Sequence, residues 1–506
     1  MNRAITRLGL VLMVGYSILF LQLNNIQLLG AERLKENPEN NRAVVRDFGQ
    51  ARGSIVTADG AIVARSLEVD GQFEHAREYP LGDLFGHVAG YFSFNFGSSG
   101  VEREYHDLLS GETFEQEISS LGDLFVDRER TADVELTLRQ DLQEVARDAL
   151  GEQNGSVVAL DPRDGSVLAM WTYPSYDPGP LSGLDFQTAN EARDALLEDE
   201  ANPLLPRAYR EIFFPGSTFK VVTAAAALES GQITAVEPVY PTVDEFVPPL
   251  TTHGIRNFGG STCGGNLFEA LRVSCNTTFA QIGVELGPDA LIAAAEGFGF
   301  NSAPPIDLPT PAASVFPVEY GELLSSADEE TPYDVYEDTP RLAQVAIGQN
   351  DVAATPLQMA LVAAAVANDG VLMEPRVVSE VRDLSGEAIR TNNPEQWRRA
   401  LSAPTATTLR AGMIGVVETG TAGRLAIEGY IVGGKTGTAQ LGTDPPQSHA
   451  WIIGFAGPQG ELPHVAVAVL VEAQEGASEQ TGGRVAAPIA QQVMAAALAV
   501  STADRN

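Results

Sequence analysis

The sequence predicts an α+β protein in three parts: a single N-terminal transmembrane helix, a small α+β domain, and a large domain built on an antiparallel sheet flanked by helices, with a further all-helical region. Three observations predict it. A basic and then apolar stretch opens the chain. Short apolar segments, glycines and charges fill residues 42–125. Beyond them, two strand-like runs come early and three late, with helical runs between, so the two ends of the large domain close one mostly antiparallel sheet. The divisions expected are residues 1–7 as a cytoplasmic tail, 8–29 as the anchor, 30–150 as the small domain, 151–500 as the large one and 501–506 as a tail.

The anchor is read from Arg3 and Arg7 ahead of an apolar run from Leu8 to Leu21, whose weaker apolar character continues to Leu29. That length suits one membrane span, and the arginines place its N-terminal end in the cytoplasm. The rival reading is a cleaved signal peptide, against which stand the length of the run and the lack of a clear A-x-A site. On either reading residues 30–506 lie outside the cytoplasm. Ala31–Asn41 reads as a polar stalk or short helix.

Asp59-Gly60 between Ile55-Val56 and Ala61–Ala64 signals a hairpin. Thr137–Leu150 carries Leu138, Leu142, Val145, Ala146 and Leu150 on one helical face, and Gly151–Gly155 breaks it. Ser156–Leu160 and Ser166–Trp171 read as strands around the turn sequence Asp161-Pro162-Arg163-Asp164-Gly165. Val222–Leu228 is an alanine-rich helical run. Thr355-Pro356-Leu357-Gln358 starts a helix with a threonine cap, proline at the first position and glutamine three after the cap. That helix runs to Ala367 and stops at Asn368-Asp369-Gly370. Tyr430–Gly434, Ala450–Phe455 and His464–Val471 read as strands, and Val485–Val500 as a final helix.

Composition narrows the function. The 506 residues carry 67 acidic and 32 basic side chains, a formal charge of −35, which repels phosphate polymers and argues against a nucleic-acid partner. Two cysteines exclude a disulfide-rich scaffold, and no pair of the six histidines has metal-ligand spacing, so no metal or cofactor is expected. Only Lys35, Lys220 and Lys435 are lysine; the other positive charges are arginine.

Two of those lysines fall in short motifs that bear chemistry. Ser217-Thr218-Phe219-Lys220 follows Pro215-Gly216, a turn into a helix on which Lys220 shares a face with Ser217. A serine nucleophile needs a base, and burial favours the neutral amine of a lysine. A serine N-cap beside a snorkelling lysine would look the same. Ser274-Cys275-Asn276 offers a hydroxyl to relay a proton and an amide to hold a peptide carbonyl, or a polar helix cap. Lys435-Thr436-Gly437-Thr438 ends a Val/Gly-rich strand, where glycine admits a substrate backbone to the strand edge. Its threonine hydroxyls and lysine suit a carboxylate, and a backbone N–H there can help form an oxyanion hole.

In this order S-x-x-K, S-x-N and K-T-G resemble the signature of penicillin-binding proteins and serine β-lactamases. Arg52-Gly53-Ser54-Ile55 with Asp59-Gly60 looks like the membrane-proximal segment of class B penicillin-binding proteins. Pro174–Pro178, Asn202-Pro203, Arg207-Ala208, Ile347-Gly348-Gln349-Asn350 and Thr355–Met359 are similar to further segments of that class, although Asn350 stands where many relatives have glycine. The short pedestal, with Gly90-Tyr91, Gly100-Val101-Glu102 and Leu109-Ser110-Gly111, is most similar to an actinobacterial branch.

The resemblance implies the penicillin-binding fold and a membrane-bound D,D-transpeptidase that crosslinks peptidoglycan stem peptides and is acylated by β-lactams. Ser217 would be the nucleophile and Lys220 its base. Ser274 and Lys435 would pass the proton to the leaving amine. Asn276 would hold the donor amide, and Thr436, Gly437 and Thr438 would bind its carboxylate end, with the N–H groups of Ser217 and Thr438 as oxyanion hole. It also implies a glycosyltransferase partner in the wall-synthesis machinery, and a homodimer through the pedestal as one option. The alternatives are a D,D-carboxypeptidase, with water in place of the amine acceptor, or a β-lactam sensor or scaffold that does not turn over.

Three smaller expectations complete the reading. An oxidising compartment favours pairing of Cys263 with Cys275, the alternative being two buried unpaired thiols. The acidic stretch Asp328–Asp338 reads as a solvated loop in preference to a lid. His449 reads as a strand residue in preference to a proton shuttle.

Overall fold

Five antiparallel strands make the central sheet of this computed structural model, which describes residues 2–24, 48–71, 73–111, 131–329, 331–443, 446–474 and 480–503. They are β1 (Gly155–Leu160), β2 (Val167–Tyr173), β3 (Ile431–Gln440), β4 (Ser448–Gly457) and β5 (Val465–Val471), in the spatial order β3-β4-β5-β1-β2. Both ends of the large domain therefore meet in one sheet, as the early and late strand signals imply. Every residue of β1 and of β5 is buried. This explains their continuous apolar runs, because a strand covered on both faces has no polar face to alternate with.

The helices that cover the sheet and carry the site are α1 (Gln140–Leu150), α2 (Lys220–Glu229), α3 (Leu267–Val273), α4 (Asn276–Gly297), α5 (Pro356–Ala367) and α6 (Ala486–Ala503). α1 and α6 pack on each other and on the sheet, and α5 packs on it as well. All twelve residues of α5 are buried. Thr355 caps it by accepting from the Gln358 amide at 3.0 Å, while the Gln358 carboxamide turns away to donate to the Phe298 carbonyl at 2.7 Å. Half of the expected capping box thus forms, and the other half becomes a tertiary link.

The hairpin at Asp59-Gly60 forms, with Ile55 opposite Ala64. Its strand Ile55–Val56 lies in a sheet whose successive neighbours are Ala388–Thr391, Val378–Asp383, Ala132–Leu136, Ile55–Val56 and Ile62–Glu68. Two strands from beyond residue 370 therefore complete the N-terminal sheet, a return of the chain that local sequence does not announce. Beneath this sheet Glu102 is fully buried between Arg52 at 3.0 Å and Arg77 at 2.6 Å, with the Tyr79 hydroxyl donating to it at 3.2 Å. Burial alone raises its carboxyl; the two guanidiniums overcome that and hold it below the usual carboxylate range.

The chain divides into two compact units, residues 1–50 with 68–76 and residues 51–67 with 77–506. In the smaller, Asn2–Asn24 is helical over the run read as an anchor, and its apolar side chains from Leu8 to Leu21 are exposed. Among the described residues no helix is long and apolar enough to cross a membrane. The expected stalk, residues 31–41, lies outside the described residues, as do residues 25–29.

Candidate active site

The nucleophile candidate sits in a strained approach. Pro215-Gly216 turns the chain into the 3₁₀ turn Gly216–Thr218, from which α2 starts at Lys220. Ser217 therefore precedes the α-helix and does not lie within it. Gly216 adopts φ +53°, and a Cβ there would come within 2.9 Å of the Thr438 carbonyl. Its N–H donates to the Gly348 carbonyl at 2.9 Å, which draws the Ile347–Asn350 segment against the turn. Ser217 is partly exposed on a groove of about 1400 Å³; its carbonyl accepts from the Phe219 N–H, and its hydroxyl makes no hydrogen bond among the described residues.

Lys220 is fully buried. Its Nζ donates to Asn276 Oδ1 at 2.6 Å and to the Ser274 carbonyl at 2.8 Å, and approaches Ser274 Oγ at 3.5 Å. Burial, reinforced by the charge of Lys435, pushes its pKa well below the ordinary lysine value. That shift favours the neutral amine, the form a base requires. All of its side-chain hydrogen bonds among the described residues go to the second motif, so the amine points toward Ser274 and Asn276.

Ser274 caps the C-terminus of α3 with φ +61°, a left-handed conformation that a non-glycine residue holds only where its surroundings enforce it. Its Oγ accepts from Lys435 Nζ at 2.7 Å. Asn276 opens α4; one amide hydrogen donates to the Arg256 carbonyl at 2.8 Å, leaving the other to point elsewhere. Asn257 anchors this turn: its Oδ1 accepts from the N–H groups of Asn276 at 3.0 Å and Thr277 at 3.1 Å. Cys275, between the two motif residues, is disulfide-bonded to Cys263 with Cα atoms 5.8 Å apart, so the expected pairing is present.

The third motif lies on β3, at the edge of the sheet. Lys435 is fully buried, and burial lowers its pKa to about 7. A Cβ on Gly437 would meet the Pro215 carbonyl, Thr218 Cγ2 and Trp451 Cβ, each at 2.9 Å, so only glycine lets the strand press on the nucleophile's turn. Trp451, opposite Gly437 on β4, ties the same turn by donating from Nε1 to the Phe214 carbonyl at 3.0 Å. Thr436 Oγ1 and Thr421 Oγ1 share a hydrogen bond at 2.7 Å. Thr436 and Thr438 face the groove with Ser217, Ser274 and Asn276.

The structure thus gathers all three motifs at one groove. Sequence reasoning missed Asn257 and Thr421, isolated polar residues in loops without a recognisable pattern. His449 is on β4, accepts from the Ala473 N–H at 3.0 Å and stands edge-on to Phe213; burial lowers its pKa to about 4. Asp328 and Asp334 accept backbone N–H bonds within the connection between strands Leu323–Ser325 and Val335–Tyr336, away from the groove lining. Among the described residues, no group of histidine, cysteine or carboxylate side chains is arranged to hold a metal ion.

A buried lysine pair joined by a serine hydroxyl, beside a serine on a tight turn and a KTG strand edge, defines an active-site serine acyltransferase fold. Residues 155–495 match the penicillin binding protein transpeptidase domain and residues 52–134 the penicillin binding protein A dimerisation domain; the chain belongs to the class B penicillin-binding protein family. It is 38% identical to the peptidoglycan D,D-transpeptidase PbpA of Mycolicibacterium smegmatis over 98% of this chain and 99% of that protein. Among solved structures it resembles the ceftriaxone acyl-enzyme complex of penicillin-binding protein A from M. tuberculosis, with TM-score 0.80 and 35% identity over 90% of this chain and 100% of the other. It also resembles the D,D-transpeptidase domain of a peptidoglycan glycosyltransferase from Eggerthella lenta, with TM-score 0.74 and 33% identity over 89% and 99% of the two chains.

Proposed function

We propose that the protein is a peptidoglycan D,D-transpeptidase that works through an acyl-enzyme on Ser217. The observation that carries this reading is Ser274 Oγ, held 2.7 Å from Lys435 Nζ and 3.5 Å from Lys220 Nζ at the groove that Ser217 lines. Neutral Lys220 takes the Ser217 proton as Oγ attacks the penultimate D-alanine carbonyl. The C–N bond breaks and D-alanine departs with a proton delivered through Ser274 and Lys435. The N–H groups of Ser217 and Thr438 stabilise the oxyanion. The free amide hydrogen of Asn276 receives the donor peptide's carbonyl, and Thr436 and Thr438, on the backbone that Gly437 allows close, receive its carboxylate. An amine of a neighbouring stem peptide then attacks the ester and releases Ser217. β-Lactams acylate the same serine.

The proposal includes the setting. The apolar run from Leu8 to Leu29 is the membrane anchor, the catalytic domain works on the extracytoplasmic side, and a glycosyltransferase supplies the glycan strands. Residues 52–134, which match a dimerisation domain, offer the surface for a homodimer. Labelling with fluorescent penicillin tests the acyl-enzyme: wild-type protein labels and Ser217→Ala does not. Crosslinking of lipid-linked peptidoglycan by the full chain, with a glycosyltransferase present, tests the reaction; labelling without crosslinks, or with release of D-alanine to water alone, overturns the transpeptidase reading.

A further inference from the structure

The groove has the opposite electrostatic character to the molecule that contains it. Over the whole sequence, acidic side chains outnumber lysine and arginine by 67 to 32. Along the groove the balance reverses: Arg256, Arg272, Arg424 and Arg484 line it against Glu269 alone. Three of these arginines gather at the Thr436 end. The Arg272 carbonyl accepts from the Thr421 N–H at 3.3 Å, and Thr421 is hydrogen-bonded to Thr436. Arg424 Nη1 donates to the Arg484 carbonyl at 3.2 Å, which holds the two arginines side by side. Gly483, next to Arg484, packs so closely that a Cβ there would lie 2.5 Å from the Thr421 carbonyl and 3.4 Å from Thr436 Cγ2.

Arg424 and Arg484 are exposed, and neither forms an ion pair among the described residues. By contrast Arg256, at the far lobe, is paired with Glu245 at 3.0 Å. Two guanidiniums without an ion pair, on residues that line the same groove as Thr436 and Thr438 in a molecule that otherwise repels anions, are suited to attract and orient an anionic group. A concave site with low-dielectric walls focuses that field.

We propose that Arg424 and Arg484 act as a cationic clamp for the carboxylate of the acyl donor, steering it onto Thr436 and Thr438 before acylation. They are specificity-determining residues for donors that end in a free carboxylate. They make no covalent contribution, so their effect falls on binding and not on the chemical step. The proposal rests on the acyl-transfer reading above.

The test is acylation of the purified full chain by benzylpenicillin, which carries one carboxylate, resolved into the non-covalent dissociation constant K and the acylation rate constant k2 at low and high sodium chloride. The variants are R424Q, R484Q, the double variant and R484K, each checked by thermal unfolding. The clamp predicts that the double variant raises K about tenfold at low salt, the size of a charge-assisted contact, with k2 unchanged. It also predicts a flatter salt dependence of K in the double variant, and partial recovery in R484K. A double variant with wild-type K and wild-type salt dependence overturns the clamp while leaving the acyl-enzyme intact. Wild-type protein that is never acylated, or a Ser217→Ala variant that is, overturns the acyl-transfer reading beneath it.

Discussion

Lys435 donates to Ser274 Oγ at 2.7 Å, and Ser274 is in turn the residue on which Lys220 converges through both its carbonyl and its hydroxyl. The two buried amines are thus coupled through one strained serine, and the charge of Lys435 is one of the reasons Lys220 is easily deprotonated.

Lys220→Arg keeps a positive charge but removes the base, because arginine does not deprotonate in proteins. Acylation of Ser217 by a fluorescent penicillin should slow by about 10²–10⁴-fold, the usual share of a general base. Stopped-flow labelling measures it; a near-wild-type rate would assign the base elsewhere.

Lys435 makes a signed prediction about pH. Its folded pKa lies near 7 and its unfolded value near that of free lysine, so between these the unfolded chain binds one more proton. Its contribution makes stability rise with pH above 7 and is most unfavourable below 7, where the buried amine is charged. Chemical denaturation of wild-type protein and Lys435→Met from pH 6.5 to 9 should show a steeper rise in the wild type.

Glu102 is buried with Arg52 and Arg77, and removing its carboxylate leaves two cations without a partner. Glu102→Ala should cost about 3–5 kcal/mol in unfolding experiments. Because its folded pKa is depressed, its contribution is present above the unfolded carboxyl pKa and fades as pH falls through the lower folded value. Acid unfolding should therefore begin at higher pH in the variant.

The bond between Cys263 and Cys275 closes a short loop around the Ser274 turn, with sequence separation 12. Opening it should lower stability by about 2–4 kcal/mol. Melting curves of the Cys263→Ser/Cys275→Ser double variant, compared with wild type with and without reductant, would reveal no difference if the loop is already fixed by Asn257.

Gly437→Ala places a methyl group against the Pro215 carbonyl and the Trp451 side chain. Displacing the nucleophile's turn from the strand edge should cut k2 by about tenfold or more, since small misplacements of reacting groups are costly. The global fold, read by circular dichroism, should persist.

Much of the site was legible because its chemistry is written in short, ordered motifs. Lys220 and Lys435 stood out in a chain that otherwise uses arginine, and the strand pattern around residues 155–173 and 431–471 follows from continuous apolar runs. The anchoring role of Asn257 was not legible, because its value lies in meeting Asn276 and Thr277 across a loop, a relation set by tertiary packing. The same holds for Val378–Asp383 and Ala388–Thr391, short segments without a clear apolar alternation that join a sheet of distant N-terminal strands. The Gln358 carboxamide was misread for a related reason: local capping rules omit the Phe298 carbonyl that competes for it.

The burial of Lys220 and Lys435 has a practical side. Amine-reactive dyes and coupling surfaces cannot reach either group in the folded chain. Of the three lysines only Lys35 lies outside the motifs, and it precedes the catalytic domain in sequence. Ordinary amine coupling would therefore spare the two lysines of the site, and immobilised binding assays would keep both catalytic amines unmodified.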